Sequence, residues 1–118
     1  MPLNWLPLTS EAQVDALKSR SFEVPCLILK HSTRCEISAI AKYRLEDDWP
    51  QITAEIEPYY LDLIAYRPVS QYVADVFGVH HESPQVLLIV DGECVFDASH
   101  LDVSVEELNE ALAQTNVG

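Results

Sequence analysis

The chain predicts an α/β sandwich, a mixed sheet with helices on its faces, and three features carry that prediction. Short apolar runs alternate with segments of helical spacing. The run Pro25 to Lys30 lacks the polar alternation of a half-exposed strand. An Asp91-Gly92 step joins two strand-like runs near the C-terminus. The length of 118 residues is that of one domain, 1–118, able to bury roughly two thirds of the surface it would expose unfolded. With 48% apolar residues and aromatics spread along the chain, the composition is that of a folded protein rather than a disordered one. No repeat, low-complexity tract or long linker divides it.

Val14 and Leu17 share one face of a short helix over Ser10 to Arg20, and Ser10 with Gln13 has capping-box spacing. Pro25-Cys26-Leu27-Ile28-Leu29-Lys30 suits a strand covered on both faces, the natural central parallel strand. After His31-Ser32-Thr33 the spacing turns helical, with Ile37, Ile40, Ala41 and Leu45 on one face and Trp49-Pro50 closing the element. A second strand follows over Tyr59 to Tyr66, rich in aromatic and branched residues between Pro58 and Pro68. A crossover of this length favours parallel pairing with the first strand.

Pro68 opens a helix through Val69, Tyr72, Val73 and Val76, and Gly78 ends it. Gln85 to Val90 and Glu93 to Phe96 form a hairpin, because Asp-Gly supplies the positive φ angles of a type I′ turn. Ser104 with Glu107 caps a last helix through Leu108 and Leu112, and a few polar residues trail after it. The order α-β-α-β-α-β-β-α thus gives a four-stranded mixed sheet, a parallel pair plus an antiparallel hairpin, flanked by helices.

The chemistry-bearing residue in this order is Cys35, just past the first strand. Thr33 and Glu36 again have capping-box spacing; with Thr33 as N-cap, Cys35 falls in the first helical turn. Unpaired amides and the positive end of the helix dipole there favour thiolate over thiol. Lys30 and Arg34 act in the same direction and Glu36 against it. Cys26 and Cys94 sit inside strands among apolar residues and read as packing residues, with the resolution of an intermediate as their other possible use. Pro84 opens the third strand in this topology opposite the entrance of the helix that carries Cys35. A trans bond is the ordinary expectation there; a cis Ser83-Pro84 bond would turn the backbone of Ser83 toward whatever is attached to the thiol, to pair with it as an added strand does.

His31 reads as a polar neighbour of the thiol, and His80 and His81 as solvated loop residues. No ligand spacing among them suggests a metal. The acidic clusters Glu46-Asp47-Asp48 and Glu106-Glu107 read as solvated surface. Nineteen acids against seven Lys and Arg leave a net charge of −12, which argues against nucleic-acid backbones and anionic membranes as partners. No apolar run approaches the roughly 20 residues of a membrane span, and the first residues do not pair a basic segment with a hydrophobic one, so a cytoplasmic protein is expected. Three cysteines without a Cys-x-x-Cys pair do not make a disulfide scaffold.

Lys30-His31-Ser32-Thr33-Arg34-Cys35-Glu36-Ile37-Ser38, followed by Arg67-Pro68-Val69-Ser70 and by His81-Glu82-Ser83-Pro84-Gln85, resembles the monothiol bacilliredoxins of the thioredoxin superfamily. The resemblance spans most of the chain and implies a thioredoxin-like three-layer sandwich. It implies a cytosolic thiol-disulfide oxidoreductase in which Cys35 attacks the bacillithiol sulfur of a modified protein and a second thiol clears the adduct. Ser83 and Pro84 then correspond to the cis-proline corner beside the thiol. Bacillithiol is a co-substrate in this scheme, and no cofactor is implied; the partners are bacillithiolated proteins and a low-molecular-weight thiol. Some relatives carry proline after the cysteine where this chain has Glu36. Two other readings stand beside this one: a glutaredoxin-type monothiol protein using another small thiol or holding an iron–sulfur cluster between protomers, and a non-catalytic thioredoxin-like adaptor or stress protein.

Overall fold

The apolar run at the first predicted strand is buried at every position, which requires covering layers on both sides. The computed structural model, which describes residues 3–115, provides them. In chain order the elements are β1 (Leu6–Pro7), α1 (Glu11–Arg20), β2 (Cys26–His31), α2 (Glu36–Asp48), β3 (Glu57–Asp62), α3 (Arg67–Phe77), β4 (Gln85–Val90), β5 (Glu93–Ser99) and α4 (Val105–Thr115). They build one five-stranded sheet in the order β1-β3-β2-β4-β5. β2 is the middle strand, parallel to β3 and antiparallel to β4. Along β2 the side chains alternate between two cores. Cys26 and Ile28 pack with Val14 and Leu17 of α1 and Val69 and Val73 of α3. Leu27 and Leu29 pack with Ala41 and Leu45 of α2 and Leu108 and Leu112 of α4.

The sheet has five strands rather than four. The added one, β1, is two exposed residues lying parallel to β3, with Leu6 opposite Tyr59 and Pro7 opposite Tyr60. β3 also begins and ends earlier than Tyr59 to Tyr66. Pro58 lies inside it, tolerated because the Glu57 amide donates to Pro25 O at 2.9 Å on the β2 side. The proline nitrogen then faces the opposite edge, where β1 has not yet begun. The strand stops at Asp62 because its Oδ1 accepts from the amides of Ile64 and Ala65, at 3.0 and 3.4 Å, and turns the chain out of the sheet.

The face of α2 also differs from its apolar spacing. Ser38, Ala41 and Leu45 are the buried residues, whereas Ile37 and Ile40 face solvent. At α1 the box forms by half. Ser10 Oγ accepts from the Gln13 amide at 3.2 Å, while Gln13 Oε1 takes the Thr9 amide rather than that of Ser10. α3 and the hairpin follow their sequence signals. Gly78 ends α3 at φ 66°, and Asp91 and Gly92 take φ 52° and 79° in the turn. β5 continues to Ser99 past Phe96 and carries a bulge at Val95, since Leu88 faces Phe96 while Ile89 faces Cys94. Ser104 Oγ accepts from the Glu107 amide at 3.2 Å and caps α4. The polar tail expected beyond α4 lies outside the described residues.

Candidate active site

The site lies where β2 and β3 end and β4 begins, at the edge where strand direction reverses, a usual place for ligands in open α/β sheets. The chain leaves β2 at His31 and makes a tight turn in which the Cys35 amide donates to Ser32 O at 3.2 Å. Thr33 and Arg34 form the exposed tip of that turn. Because they are spent on the turn, Thr33 is not the N-cap of α2; Cys35 is, at φ −114° and ψ 120°. The capping box read from Thr33 and Glu36 is therefore absent. In its place Ser38, buried in the first turn of α2, accepts the Ser32 amide on its Oγ at 3.0 Å and closes the loop. Cys35 is partly exposed and occupies the N-cap position next to the unpaired first-turn amides, with no hydrogen bond from its side chain to them. Glu36 follows as the first helical residue and is exposed.

Lys30 pairs with Gln85 across the β2–β4 ladder. Extending that register by two residues sets Pro84 beside His31 and Ser83 beside Ser32. The Ser83-Pro84 bond is cis. Pro84 is buried and its carbonyl accepts from the His100 amide at 2.8 Å, while the buried Ser83 Oγ has no hydrogen-bond partner.

Two residues expected around the thiol turn elsewhere. Lys30 is wholly buried on the α3 side, its Nζ donating to Ser70 O at 3.2 Å and standing 3.4 Å from His81 Nδ1. Its ammonium is thus engaged with α3 and the β4 loop rather than with Cys35, and burial pushes its pKa down to about 8. His31, one residue on, points to the α2 side. Its ring lies 5.5 Å from that of Tyr60 and its Nδ1 has no partner; burial, then the charge of Lys42, keep its pKa below the usual value.

His81 is an exposed loop residue, as expected, but its ring makes contacts within the fold. Its Nδ1 also lies 3.3 Å from Ser70 Oγ, and burial, then Lys30, hold its pKa down. Ser32, Arg67, Ser70, Gln71, His81 and Ser83 give the polar lining of a groove of about 330 Å³, with Leu63 and Ile64 as its apolar wall. Composition and spacing did not single out this groove as a unit: Lys30 and His81 are far apart in sequence and meet only through the sheet.

The other cysteines stand at the opposite end of β2. Cys26 begins the strand and faces Ile89, whose partner on β5 is Cys94. Burial, then Glu57, push the Cys26 thiol up to about 12; burial, then Asp97, push Cys94 up to about 11. Cys26 Sγ lies 3.4 Å from Val24 O, and Cys94 Sγ lies 3.3 Å from Phe96 O. Among the described residues no group of three or more His, Cys, Asp or Glu is placed to hold a metal ion.

Comparison with known proteins agrees with this architecture. The family model described as monothiol bacilliredoxin BrxC matches residues 6–108. A solved structure described as a candidate oxidoreductase with a thioredoxin fold is 31% identical, covers 91% of this chain and 92% of its own, and superposes with a TM-score of 0.79. Thioredoxin from Trypanosoma brucei brucei superposes at a TM-score of 0.72 and 9% identity, over 98% of this chain and 93% of its own. Thioredoxin O2 from Arabidopsis thaliana gives 0.68 at 15% identity, over 93% and 92%. At such identities these two likenesses concern the fold alone.

Proposed function

Because this chain belongs to the monothiol bacilliredoxin family, we propose that Cys35 is the thiol that takes bacillithiol from protein mixed disulfides. One observation carries this reading: Cys35, partly exposed as Cys94 also is, is the cysteine at a helix start, while Cys26 and Cys94 have thiols raised by burial at the far end of the sheet. The Cys35 thiolate attacks the bacillithiol sulfur. A Cys35–bacillithiol bond forms as the protein–bacillithiol bond breaks, and the released protein thiolate takes up a proton. A second small thiol then attacks the adduct and regenerates Cys35.

An external thiol is needed because Ser38 stands where a Cys-x-x-Cys partner would be. Cys26 is also about 13 Å down β2 from Lys30, before the loop to Cys35 even begins, whereas a disulfide needs Cα atoms within about 7 Å. Thr33, Arg34 and Glu36 flank the thiol on the exposed turn and set its local charge. Ser83 and Pro84 form the corner against which the peptide portion of the small thiol pairs. The partners on this reading are bacillithiolated proteins and free small thiol in the cytoplasm. Among the described residues no helix is long and apolar enough to cross a membrane, and the charge of −12 disfavours nucleic acids and anionic lipid surfaces.

Intact mass after mixing with oxidised bacillithiol tests the assignment. One bacillithiol on the wild-type chain and none on Cys35→Ser is the expected result. An adduct that survives in Cys35→Ser overturns it.

A further inference from the structure

The cations of this acidic chain are unevenly used. Arg20 is paired with Glu23 and Glu57, and Lys42 with Glu46. Lys18, Lys30, Arg34, Arg44 and Arg67 form no ion pair among the described residues. Of these, Lys30, Arg34 and Arg67 lie at the thiol end of the sheet, and Arg67 lines a groove together with Ser32, the residue whose carbonyl receives the Cys35 amide. No carboxylate lines that groove. Of the acids near it in sequence, Asp62 accepts amides of its own turn, Glu82 lies 3.8 Å from His100 with its charge also felt at His81, and Glu36 is exposed at the start of α2.

Lys30 sits behind the groove, touching two of its lining residues, Ser70 and His81. An ammonium that donates to His81 Nδ1 leaves the ring proton on Nε2, so the imidazole keeps a donor for a ligand. The unpartnered Ser83 Oγ, in the same lining, is a further donor. A groove with a guanidinium, an imidazole N–H, unsatisfied hydroxyl capacity and a buried ammonium beneath it, but no acid, is a site for an anion. At about 330 Å³ it has room for part of a small molecule rather than for a folded partner.

We propose that this groove binds a carboxylate of the low-molecular-weight thiol while the sulfur of that thiol is exchanged at Cys35, with Arg67 as its principal contact and Lys30 as a positioning residue beneath it. The inference rests on the thiol-exchange reading above and adds what the small thiol must carry.

The test uses mixed disulfides of one neutral cysteine peptide with 3-mercaptopropionate, 2-mercaptoethanol or cysteamine, and a fourth probe that joins 2-mercaptoethanol to an acidic peptide. The readout is the second-order rate at which the small thiol appears on Cys35 by intact mass. The carboxylate probe reacts about tenfold faster than the neutral one, the worth of one charge-assisted contact, and the ammonium probe reacts slowest. Arg67→Ala collapses the carboxylate-to-neutral ratio, Arg67→Glu inverts it and Lys30→Met lowers it. Arg44→Ala, a charge loss on the other side of the molecule, leaves the ratio in place. Equal rates for the three small thiols overturn the groove assignment while leaving exchange at Cys35 intact, as does a ratio that survives Arg67→Glu. A gain that follows the acidic peptide overturns it too, because the carboxylate would then belong to the protein partner. No adduct on Cys35 with any probe overturns the exchange reading, and the inference with it.

Discussion

Lys30 occupies a wholly buried position in the middle strand with no acid against it. A buried ammonium held by a carbonyl and an imidazole is costly, and a site that keeps one trades stability for local positive charge. Its pKa of about 8 in the folded protein against 10.5 otherwise means that the unfolded chain binds the extra proton between those values. Stability from this group is therefore lowest below pH 8 and recovers as pH rises toward 10.5. Lys30→Met, close in length and apolar, should stabilise the protein by about 1–3 kcal/mol at pH 7. Its advantage should shrink in urea unfolding repeated at pH 9.5, where both proteins still share the titrations of Cys26, Cys94 and Tyr59. An advantage that grows with pH would contradict the sign worked out here.

Two elements show how local chemistry fixes the frame around the site. At the hairpin turn, Gly92 combines φ 79° with a close neighbour: a Cβ there would lie 2.9 Å from Phe22 Cζ. Its amide donates to the buried Ser21 Oγ at 2.8 Å, and the Asp91 amide donates to Ser21 O at 3.0 Å, so the turn is sewn to the end of α1. Gly92→Ala should cost about 1–2 kcal/mol for the left-handed conformation, and Ser21→Ala about 1–3 kcal/mol for a stranded buried amide, both read from thermal or urea unfolding. On α2 the structure separates two apolar residues that spacing placed together. Leu45→Ala opens a core cavity and should cost about 2–5 kcal/mol. Ile40→Ala changes a residue 48% exposed and should stay within about 0.5 kcal/mol.

The same elements show what could be read without coordinates. The hairpin and α3 were legible because Asp91-Gly92, Pro68 and Gly78 act on their own neighbours. The start of α2 was not, because Ser32 took Ser38 and Cys35 as its partners and left Thr33 on a turn. The face of α2 was misread for a related reason: Ser38 counts as polar in any periodicity, yet it is buried as a loop clamp. β1 carries too few residues for any pattern, and β3 ends on an aspartate turn that apolar content does not reveal.

At the scale of the whole molecule, the sheet order sets the three cysteines apart. β2 runs from Cys26 toward Cys35, and the bulged β4–β5 hairpin brings Cys94 to the Cys26 end. The position of the thiol after an apolar strand was visible in sequence; the groove of Lys30, Ser70 and His81 needed three elements to meet. This separation makes a prediction about the intact fold. At pH 8, thiols with pKa values of about 12 and 11 are ionised to roughly one part in ten thousand and one in a thousand, and only the thiolate is alkylated at a useful rate. Brief iodoacetamide treatment of the native protein should therefore give a single adduct, on Cys35, while treatment in urea gives three and Cys35→Ser gives none in the native state. Native labelling of Cys94 as fast as Cys35 would mean that the far end of the sheet opens readily, and that the chain has a second thiol able to exchange.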